Sequence, residues 1–465
     1  MTLVLGIDSS TQSTKALLTD AETGTVVAEG RAAHPDGTEV DPHAWWQACQ
    51  EAISQATAGS TERVAAVAVA GQQHGMVTLD AAGEVVRPAL LWNDTRSAGQ
   101  ARRLVEDGAG PAWWAEQTGS VPVASFTVTK LAWLAENEPA NADRVAAVAL
   151  PHDWLTWRLA GRGDRLVTDR GDASGTGYFS PRTGAWLPEV LDTAFGGRRP
   201  RLPDVLGPNE PAGTTTEGAV LAPGTGDNMA AALGLDLRPG DVVVSLGTSG
   251  TVFASVPTPA ADPSGLVAGF CDATGRYLPL VCTLNAARVL TSTAAMLGTD
   301  LAGLDALALR AAPGSGGLVM LPYLEGERTP DLPNATGTLV GLRGTNMSPE
   351  NLARAAVEGM LCGLADGLAA LRDTDVEVRR VLLIGGASRS GAVRAVAAGL
   401  FGVPVDLPDP DEYVALGAAR QAAWVVSGDP APPDWRRPTQ TLDPTGDGAE
   451  VHNAYSAARK ALYGS

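Results

Sequence analysis

The chain has 465 residues, of which 45% are hydrophobic and 18% charged, and its formal net charge is −18. Length and apolar content predict a globular protein of two or three domains, and the acidic charge argues against nucleic acid and anionic membranes as partners, because both favour basic surfaces. Four scattered cysteines without a CxxC pair indicate neither a disulfide framework nor a structural zinc site.

The N-terminal region predicts a meander of three strands. Apolar runs at residues 3–7, 14–19 and 25–29 are separated by polar turns, and Asp8 directly follows the first strand. The first turn is rich in hydroxyl groups, which together with the backbone N–H groups of a tight turn suit phosphate oxygens. The leading residues MTLVLGIDSS carry no basic leader and no cleavage site, and no apolar run reaches membrane length, so we expect a cytoplasmic protein.

Strand and helix patterns alternate through the rest of the first half. Residues 64–70 are apolar throughout, as in a strand buried on both faces, and they lead into the polar cluster GQQHG (71–75). An amphipathic stretch centred on residues 130–134 predicts a helix, and a second apolar strand follows at 145–150. Ligands of open α/β sheets bind at the carboxyl ends of such strands, which makes GQQHG a candidate binding segment.

The second half of the chain begins as the first does. VLGIDSSTQSTKALL (4–18) and VVVSLGTSGTVFAS (242–255) share the order strand, hydroxyl-rich turn, strand. Either turn alone is explained as well by an ordinary β-hairpin with a polar tip. Their recurrence at the head of each half favours a pair of phosphate-binding turns, and the sequence contains neither the GxxxxGK[ST] of a P-loop nor a GxGxxG after the first strand.

Strands and helices also alternate in the second half. Ser348, which precedes a proline, predicts the start of a long helix, and a strand at 381–384 ends in GGASRSG (385–391), where bare backbone before a helix suits an adenosine. A glycine-rich connection is the plainer explanation of that motif. Together the elements predict an α/β fold of two domains, residues 1–240 and 241–465, that flank a ligand cleft.

The sharpest polar cluster is GTGDN (224–228), which precedes a helical segment that begins MAAALG. Asp227 is then at a helix N-terminus, where the dipole and the free N–H groups favour a charged, proton-accepting carboxylate. A routine N-cap is the commoner explanation, but the two glycines before Asp227 leave room for a ligand. Gln73 and His74 suit sugar hydroxyls, and His74 has no acidic or serine partner at the spacing of a catalytic base.

The longest motifs of the chain resemble those of the FGGY carbohydrate kinases, which belong to the superfamily of actin, hexokinase and Hsp70. SFTVTKLAWLAEN (125–137) and GTLVGLRGTNMSPENLARAAVE (337–358) are similar to the two signature segments of that family, in the expected halves. The resemblance covers nearly the whole chain. It implies two ribonuclease H-like domains that flank an ATP and sugar cleft, ATP and Mg²⁺ as cofactors, a small-molecule sugar as substrate, and a homodimer.

Within the family, the resemblance is greatest to members that phosphorylate D-xylulose at O5 in pentose catabolism. It rests on GQQHG, GTGDN, LLWNDTRS (90–97) and LPYLEGERTP (321–330). Gln73 stands where many of these members have methionine, so the sugar that fits is open to change at this position. Ser10 stands where a glycine is common, which matters little if the backbone φ of Ser10 is negative.

The resemblance also assigns roles to individual residues. It implies that Asp227 is the catalytic base, that Gln73, His74 and Asn228 contact the sugar together with Asp227, and that Asp8 acts next to Mg²⁺ through water. The residues that it assigns to ATP belong to the two phosphate turns and to the adenosine motif: Thr11, Gln12, Ser13, Gly247, Thr248, Gly386 and Ser390.

Three alternatives remain open. The acceptor of the phosphoryl group is D-xylulose or another ketose or polyol such as ribulose, gluconate or glycerol. An actin-like ATPase that is not a kinase would need neither GTGDN nor GQQHG. A sugar-binding regulator that has lost catalysis would not need to retain Asp8, Thr248 and Asp227 together.

Overall fold

The computed structural model describes residues 1–106, 108–409, 411–444, 446 and 448–464. The chain divides into two compact units. Unit 1 comprises Met1–Leu237, Pro257–Leu278 and Asp411–Arg436, and unit 2 comprises Arg238–Val256, Pro279–Pro410 and Arg437–Ser465. Two segments from the second half of the chain therefore belong to unit 1. The boundary at residue 240, as the border between two family domains, stays a prediction.

Among the described residues up to Leu237 there are fifteen strands, several of them only two or three residues long. They are β1 (Leu3–Ser9), β2 (Ser13–Asp20), β3 (Val26–Ala33), β4 (Glu39–Val40), β5 (Val64–Gly71), β6 (Val77–Leu79), β7 (Ala89–Leu90), β8 (Ala147–Ala149), β9 (Val167–Asp169), β10 (Phe179–Ser180), β11 (Ala185–Trp186), β12 (Asp204–Leu206), β13 (Gly213–Thr214), β14 (Val220–Leu221) and β15 (Thr225–Gly226). The predicted meander is confirmed as β1, β2 and β3, and the strand expected at residues 145–150 is limited to the three residues of β8.

Nine helices connect these strands in the part of the chain that the structure describes. They are α1 (Pro42–Thr57), α2 (Ala98–Glu106), α3 (Gly110–Thr118), α4 (Thr127–Asn137), α5 (Pro139–Ala142), α6 (Pro151–Leu159), α7 (Arg170–Ala173), α8 (Pro188–Ala194) and α9 (Asp227–Gly234). Buried apolar side chains of β1, β5, α1 and α6, among them Ile7, Trp45, Val69 and Trp154, form one cluster of the unit 1 core. The helix predicted around residues 130–134 is confirmed as α4.

The remaining strands and helices begin at residue 241. The strands are β16 (Asp241–Leu246), β17 (Gly250–Ala254), β18 (Ala268–Cys271), β19 (Tyr277–Thr283), β20 (Val319–Leu321), β21 (Thr338–Val340), β22 (Arg380–Ile384), β23 (Val405–Pro408) and β24 (Thr439–Leu442). The helices are α10 (Ala287–Met296), α11 (Leu301–Arg310), α12 (Pro349–Asp373), α13 (Gly391–Phe401), α14 (Tyr413–Ser427) and α15 (Gly448–Tyr463), with 3₁₀ turns at Ser315–Gly317 and Gly386–Arg389. Of these, β18 and α14 belong to unit 1.

The main sheets of the two units have the same topology at their centres. In unit 1 the order is β13-β14-β5-β1-β2-β3, and in unit 2 the strands β19-β17-β16-β22-β23-β24 follow one another. The first strand of each unit pairs antiparallel with the next strand in the chain, β2 or β17, and parallel with a later strand, β5 or β22. The prediction of two similarly built α/β halves is therefore confirmed.

Helix α14 packs closely against α9, the helix that begins at Asp227. A Cβ atom on Gly417 would lie 1.8 Å from the carbonyl oxygen of Ala230, and one on Gly234 would lie 2.2 Å from the carbonyl oxygen of Tyr413. Backbone atoms cannot yield as the tip of a flexible side chain can. Glycine at these two positions therefore sets the distance between the two helices.

The substitution Gly417→Ala is expected to destabilise the protein. Alanine gains about 1 kcal/mol of helix propensity over glycine, but overpacking against backbone costs up to about 3 kcal/mol, so we expect a net loss of about 2 kcal/mol in the free energy of unfolding. Urea denaturation of the full chain measures it. The control is Gly59→Ala, where the added methyl group has no atom within 4 Å, and an equal loss in that variant would contradict the packing argument.

Among the described residues, no helix is both long enough and apolar enough to cross a bilayer.

Candidate active site

Three segments of unit 1 that are far apart in the chain meet at one edge of the main sheet. In the strand register, Ser9 of β1 lies opposite Gly71 of β5, and Gly71 lies opposite Gly226 of β15. Both pairings are parallel, so the carboxyl ends of the three strands face the same way. Asp8 therefore shares this edge with GQQHG and with Asp227, the first residue of α9.

The carboxyl group of Asp227 is held by its neighbour in the chain. Its Oδ1 atom accepts hydrogen bonds from the backbone N–H of Asn228 at 2.8 Å and from the Asn228 side-chain amide at 3.0 Å. Burial of the carboxyl, together with the negative charges of Asp8 and Asp172, raises the pKa of Asp227 to about 7. The expectation that the helix N-terminus favours the ionised carboxylate of Asp227 is therefore wrong, because desolvation and the nearby negative charges together outweigh the effect of the helix dipole.

The side chain of Gln73 lies next to this group. Asn228 Nδ2 donates to Gln73 Oε1 at 2.9 Å, which joins Gln73, Asn228 and Asp227 in one hydrogen-bonded row. The Nε2 donors of Gln72 and Gln73 are buried and have no hydrogen-bond partner among the described residues. Buried donors of this kind are costly in a folded protein unless a ligand or water satisfies them, which makes this edge a candidate binding site.

His74 adopts an unusual backbone conformation beside Gln73. Its φ is 66°, in the left-handed region, and its ring stacks on Phe126 with 4.7 Å between the ring centres. Its Nδ1 atom lies 2.6 Å from the carbonyl oxygen of Gly175. A carbonyl only accepts, so Nδ1 carries the proton, and in the neutral ring Nε2 is the acceptor atom.

Asp8 is a buried carboxylate with a mixed set of neighbours. The hydroxyl group of Ser10 donates to Asp8 Oδ1, and Lys15 Nζ lies 3.7 Å from Asp8 Oδ2 while pairing with Glu412 at 2.6 Å. Burial raises the pKa of Asp8, although Lys15 and Ser10 act in the opposite direction. Ser10 is not among the residues with positive φ, so the serine at this position causes no backbone strain.

The first predicted phosphate turn connects β1 and β2. Thr11 is half-buried and Gln12 is exposed, whereas Ser13 is buried at the start of β2. The Thr11 hydroxyl accepts a hydrogen bond from the indole N–H of Trp92 at 2.9 Å and lies 3.4 Å from Gln72 Oε1. Of the three residues predicted here, Thr11 and Gln12 thus have the exposure that a ligand contact needs, and the side chain of Ser13 faces the protein interior.

The second predicted phosphate turn lies in unit 2 between β16 and β17. Gly247 and Thr248 are both exposed at its tip. The carbonyl oxygens of Gly247 and Thr248 accept hydrogen bonds from the backbone N–H groups of Ala287 and Ala286, at 2.8 and 3.2 Å. The turn is therefore anchored near the start of α10 through its carbonyls.

The predicted adenosine motif lies between β22 and α13. Gly386 has open space where a side chain would be, as an approaching ligand requires. Ser390 instead caps α13: its hydroxyl accepts from the Val393 N–H at 3.1 Å and donates to Asp305. The backbone N–H groups of the first turn of α13 also donate to Asp305, so the terminus already has a carboxylate partner.

A fully buried ionic cluster lies beneath GTGDN, and the sequence analysis missed it. His152 Nδ1 lies 2.7 Å from Asp172 Oδ2, and His152 Nε2 lies 3.1 Å from Asp153 Oδ1. Burial disfavours a charged imidazole, but the surrounding carboxylates outweigh burial and raise the pKa of His152 to about 9. His152 and Asp153 come shortly after the apolar strand β8. Polar residues beyond the carboxyl end of such a strand are a signal that could have indicated them.

The residues just before Asp227 are fixed by side chains from other parts of unit 1. The Gln421 carboxamide accepts from the N–H of Gly224 at 3.0 Å and donates to its carbonyl at 3.1 Å, while Thr225 donates to Asp169 Oδ2 at 2.7 Å. A Cβ atom on Gly224 would lie 2.6 Å from the His152 ring. Gly224 thus makes room for the protein's own packing, and the expectation that it admits a ligand is wrong.

The chain was compared with known protein families, curated proteins and solved structures. The model of the FGGY family of carbohydrate kinases, N-terminal domain, matches residues 3–234, and the C-terminal domain model of the same family matches residues 242–426. The xylulose kinase of Streptomyces coelicolor is 49% identical over 470 residues, which cover 97% of this chain and 94% of that protein. That of Streptomyces rubiginosus is 50% identical over 444 residues, 92% of this chain and 89% of the relative.

A crystal structure of xylulose kinase from Bifidobacterium adolescentis has 46% sequence identity and a TM-score of 0.89, and the match covers 98% of this chain and 99% of that one. A xyloylose kinase from Brucella ovis has 31% identity and a TM-score of 0.91 over 99% of both chains. Both the sequence and the fold of this chain match these proteins over nearly its whole length. The chain belongs to the FGGY family of carbohydrate kinases.

Proposed function

We propose that this chain transfers the γ-phosphoryl group of ATP to O5 of D-xylulose, forming D-xylulose 5-phosphate in pentose catabolism. The observation that carries the proposal is the row Gln73, Asn228 and Asp227, next to Asp8 at the carboxyl edge of the unit 1 sheet. Amide donors and acceptors suit sugar hydroxyls, and a carboxylate with a pKa near 7 suits a general base at neutral pH. The relatives named xylulose kinase support the choice of sugar.

In this proposal each residue of the row has its own task. Asp227 accepts the proton of the attacking hydroxyl, and the Asn228 amide holds the carboxylate in place. The unpartnered amide donor of Gln73 and the acceptor nitrogen of His74 bind sugar hydroxyls and orient the chain of the ketose. Phosphoryl transfer has a loose transition state, so orientation and charge contribute more to the rate than base strength does.

Phosphate-binding residues are proposed for each unit separately. In unit 1 they are Thr11 and Gln12, which are exposed enough for a ligand, with Ser13 fixing the end of the turn at β2, and in unit 2 they are Gly247 and Thr248. The adenosine contacts are assigned to Gly386, whose open surface supports it, and to Ser390. Because the hydroxyl and both backbone groups of Ser390 are already hydrogen-bonded within the protein, we expect Ser390 to shape this segment and to contact adenosine by van der Waals contact.

The family implies Mg²⁺, and the residues around Asp8 fit a hydrated ion. No group of three or more His, Cys, Asp or Glu side chains able to hold a metal occurs in the part of the chain that the structure describes. A single carboxylate such as Asp8 suits Mg²⁺, which usually retains several waters and takes further ligands from phosphates. Bound there, Mg²⁺ would neutralise negative charge on the phosphates. Asp8 would hold its water shell while Lys15 remains paired with Glu412.

The raised pKa of Asp227 predicts the pH dependence of the reaction. Since the group works as a base, its proton must be absent, and activity is lost as the pH falls through about 7. We expect kcat/KM for D-xylulose to fall about tenfold per pH unit on the acid side. Initial rates measured from about pH 5 to about pH 9 give this profile. An acid limb near the ordinary aspartate pKa would contradict the proposed environment of Asp227.

A panel of acceptors tests the substrate directly. The full-length protein is incubated with ATP, Mg²⁺ and D-xylulose, D-ribulose, gluconate or glycerol, or with no acceptor, and ADP release is followed. The proposal predicts the highest kcat/KM for D-xylulose and little ADP without a sugar. A higher value for another acceptor would replace D-xylulose as the substrate, and sugar-independent turnover would favour an ATPase of another kind.

We further propose that the protein acts in the cytoplasm as a homodimer, without nucleic acid or membrane partners. The small-molecule substrates support a cytoplasmic location, and the acidic net charge argues against nucleic acid and membrane partners. The family resemblance supports the homodimer. Light scattering of the purified protein measures the mass of the assembly, and a monomer at working concentration would contradict the dimer.

A further inference from the structure

Lys130 is a fully buried lysine in the unit 1 core. Its ammonium group does not pair with a carboxylate within salt-bridge distance among the described residues. Instead Nζ donates to two backbone carbonyls, that of His74 at 2.8 Å and that of Ser125 at 2.6 Å. Fully buried lysines are rare because desolvation of the charge is costly. Here burial lowers the pKa of Lys130 to about 7.

The same carbonyl has a second donor from the same helix. Thr127, at the start of α4, donates its hydroxyl to the His74 carbonyl at 3.2 Å. The His74 backbone is the one whose φ of 66° lies in the left-handed region, a conformation that costs a non-glycine residue free energy. Two buried donors therefore hold in place a peptide that would otherwise favour another conformation.

The ring of His74 depends on this backbone conformation. Its Nδ1 atom is hydrogen-bonded to Gly175, and one face stacks on Phe126, so the ring can occupy its place only if the Cα position and φ are kept. Gln73 immediately precedes His74 in the chain, and its side-chain oxygen accepts a hydrogen bond from Asn228. A shift of the His74 peptide would move both side chains assigned to the sugar.

We propose that Lys130 and Thr127 are positioning residues for sugar recognition, which act by clamping the carbonyl oxygen of His74. The inference rests on the proposed function, because it assigns Gln73 and His74 to the sugar. It gives a role to two residues of the SFTVTKLAWLAEN segment, whose first helical turn supplies both donors.

Thr127 and Thr129 provide a matched pair of variants. Both are fully buried in the first turn of α4, but the Thr129 hydroxyl is hydrogen-bonded to the Ser97 hydroxyl at 3.0 Å and to carbonyls of its own segment, such as that of Phe126 at 2.9 Å, and not to the His74 carbonyl. Thr127→Val and Thr129→Val remove one buried hydroxyl each. A merely structural role would give both variants the same kinetics.

For Thr127→Val we expect KM for D-xylulose to rise about threefold to tenfold, the value of one neutral hydrogen bond. KM for ATP and kcat at saturating sugar change by less than about twofold, since this is lost ground-state positioning of the sugar. Thr127→Ser, which keeps the hydroxyl, restores KM for D-xylulose. Thr129→Val leaves KM for D-xylulose unchanged.

Lys130→Met removes the shorter of the two hydrogen bonds to the His74 carbonyl, and we expect KM for D-xylulose to rise about threefold to tenfold, as for a neutral hydrogen bond, because a lysine with a pKa of about 7 is partly uncharged. If this variant does not fold, the threonine variants carry the test. Equal KM values for Thr127→Val and Thr129→Val, or an equal rise in KM for ATP, would overturn the clamp alone. A wild-type protein that does not phosphorylate D-xylulose would overturn the proposed function and the clamp with it.

Discussion

Asp227→Asn is expected to lower kcat by about 10²- to 10⁴-fold, the usual contribution of a positioned general base. Asparagine keeps the shape of the side chain and an oxygen that accepts from the Asn228 N–H, but it cannot take a proton. The sugar remains bound by its other contacts, so KM for D-xylulose should change little. Steady-state kinetics at saturating ATP measure both parameters.

The stability of this variant separates loss of the base from loss of the fold. The folded-state pKa of Asp227 is about 7, above the ordinary value of 3.8, so above pH 7 the ionised carboxylate costs the folded state stability. At about pH 8, which is above that pKa, the neutral asparagine should therefore give a melting temperature equal to or above that of the wild type. Near-normal turnover of Asp227→Asn would remove Asp227 from the proposed role.

Asp236→Asn is the matched control at the other end of α9. Asp236 accepts a hydrogen bond from Arg420 and has a φ of 55°, which asparagine tolerates well. It loses a charge as Asp227→Asn does, but it lies outside the proposed site. We expect kcat close to the wild-type value, and a loss as large as that of Asp227→Asn would attribute the effect to α9 as a whole.

Asp8→Asn is expected to lower kcat by about 10²- to 10³-fold, as when a preorganised electrostatic group is removed from an active site. The substitution keeps an acceptor for the Ser10 hydroxyl but removes the negative charge that suits a hydrated cation. We also expect a higher Mg²⁺ concentration for half-maximal rate, because the ion would then be held by the nucleotide alone. Rates over a Mg²⁺ titration measure both effects.

Asp20→Asn is the control at the opposite end of the same hairpin. Asp20 pairs with Leu3 in the register of β1 and β2, and its Oδ1 atom accepts from the backbone of the following turn. Asparagine can form the same turn. Activity of Asp8→Asn equal to that of Asp20→Asn would contradict the role proposed for Asp8.

The parts of the fold that local sequence controls were predictable. Alternation with a short polar turn is enough to predict a hairpin, so β1 with β2 and β16 with β17 were found, and their recurrence indicated the shared topology of the two sheets. Local patterns also indicated Asp8 and Asp227 as candidates, since one lies near the end of a strand and the other begins a helix. Family motifs added the assignment to carbohydrate kinases.

The parts that depend on contacts between distant segments were not predictable. Gln421 fixes Gly224 across 197 positions of the chain, and no pattern near either residue indicates the pair. The amphipathic pattern places Lys130 on a helix but does not indicate that it is buried, because burial depends on what packs around α4. The pKa of Asp227 was expected in the wrong direction because the burial that raises it most, and the charges of Asp8 and Asp172 that add to it, depend on other segments of the chain.

The most direct test of the account is to identify the product that the wild-type protein forms from ATP and D-xylulose. Phosphorus and carbon NMR of the reaction mixture show which atom carries the new phosphoester. The account predicts a phosphorus coupled to C5 of the ketose and one ADP for each phosphoester formed. Inorganic phosphate without a sugar ester, or a phosphoester at another carbon, would contradict it.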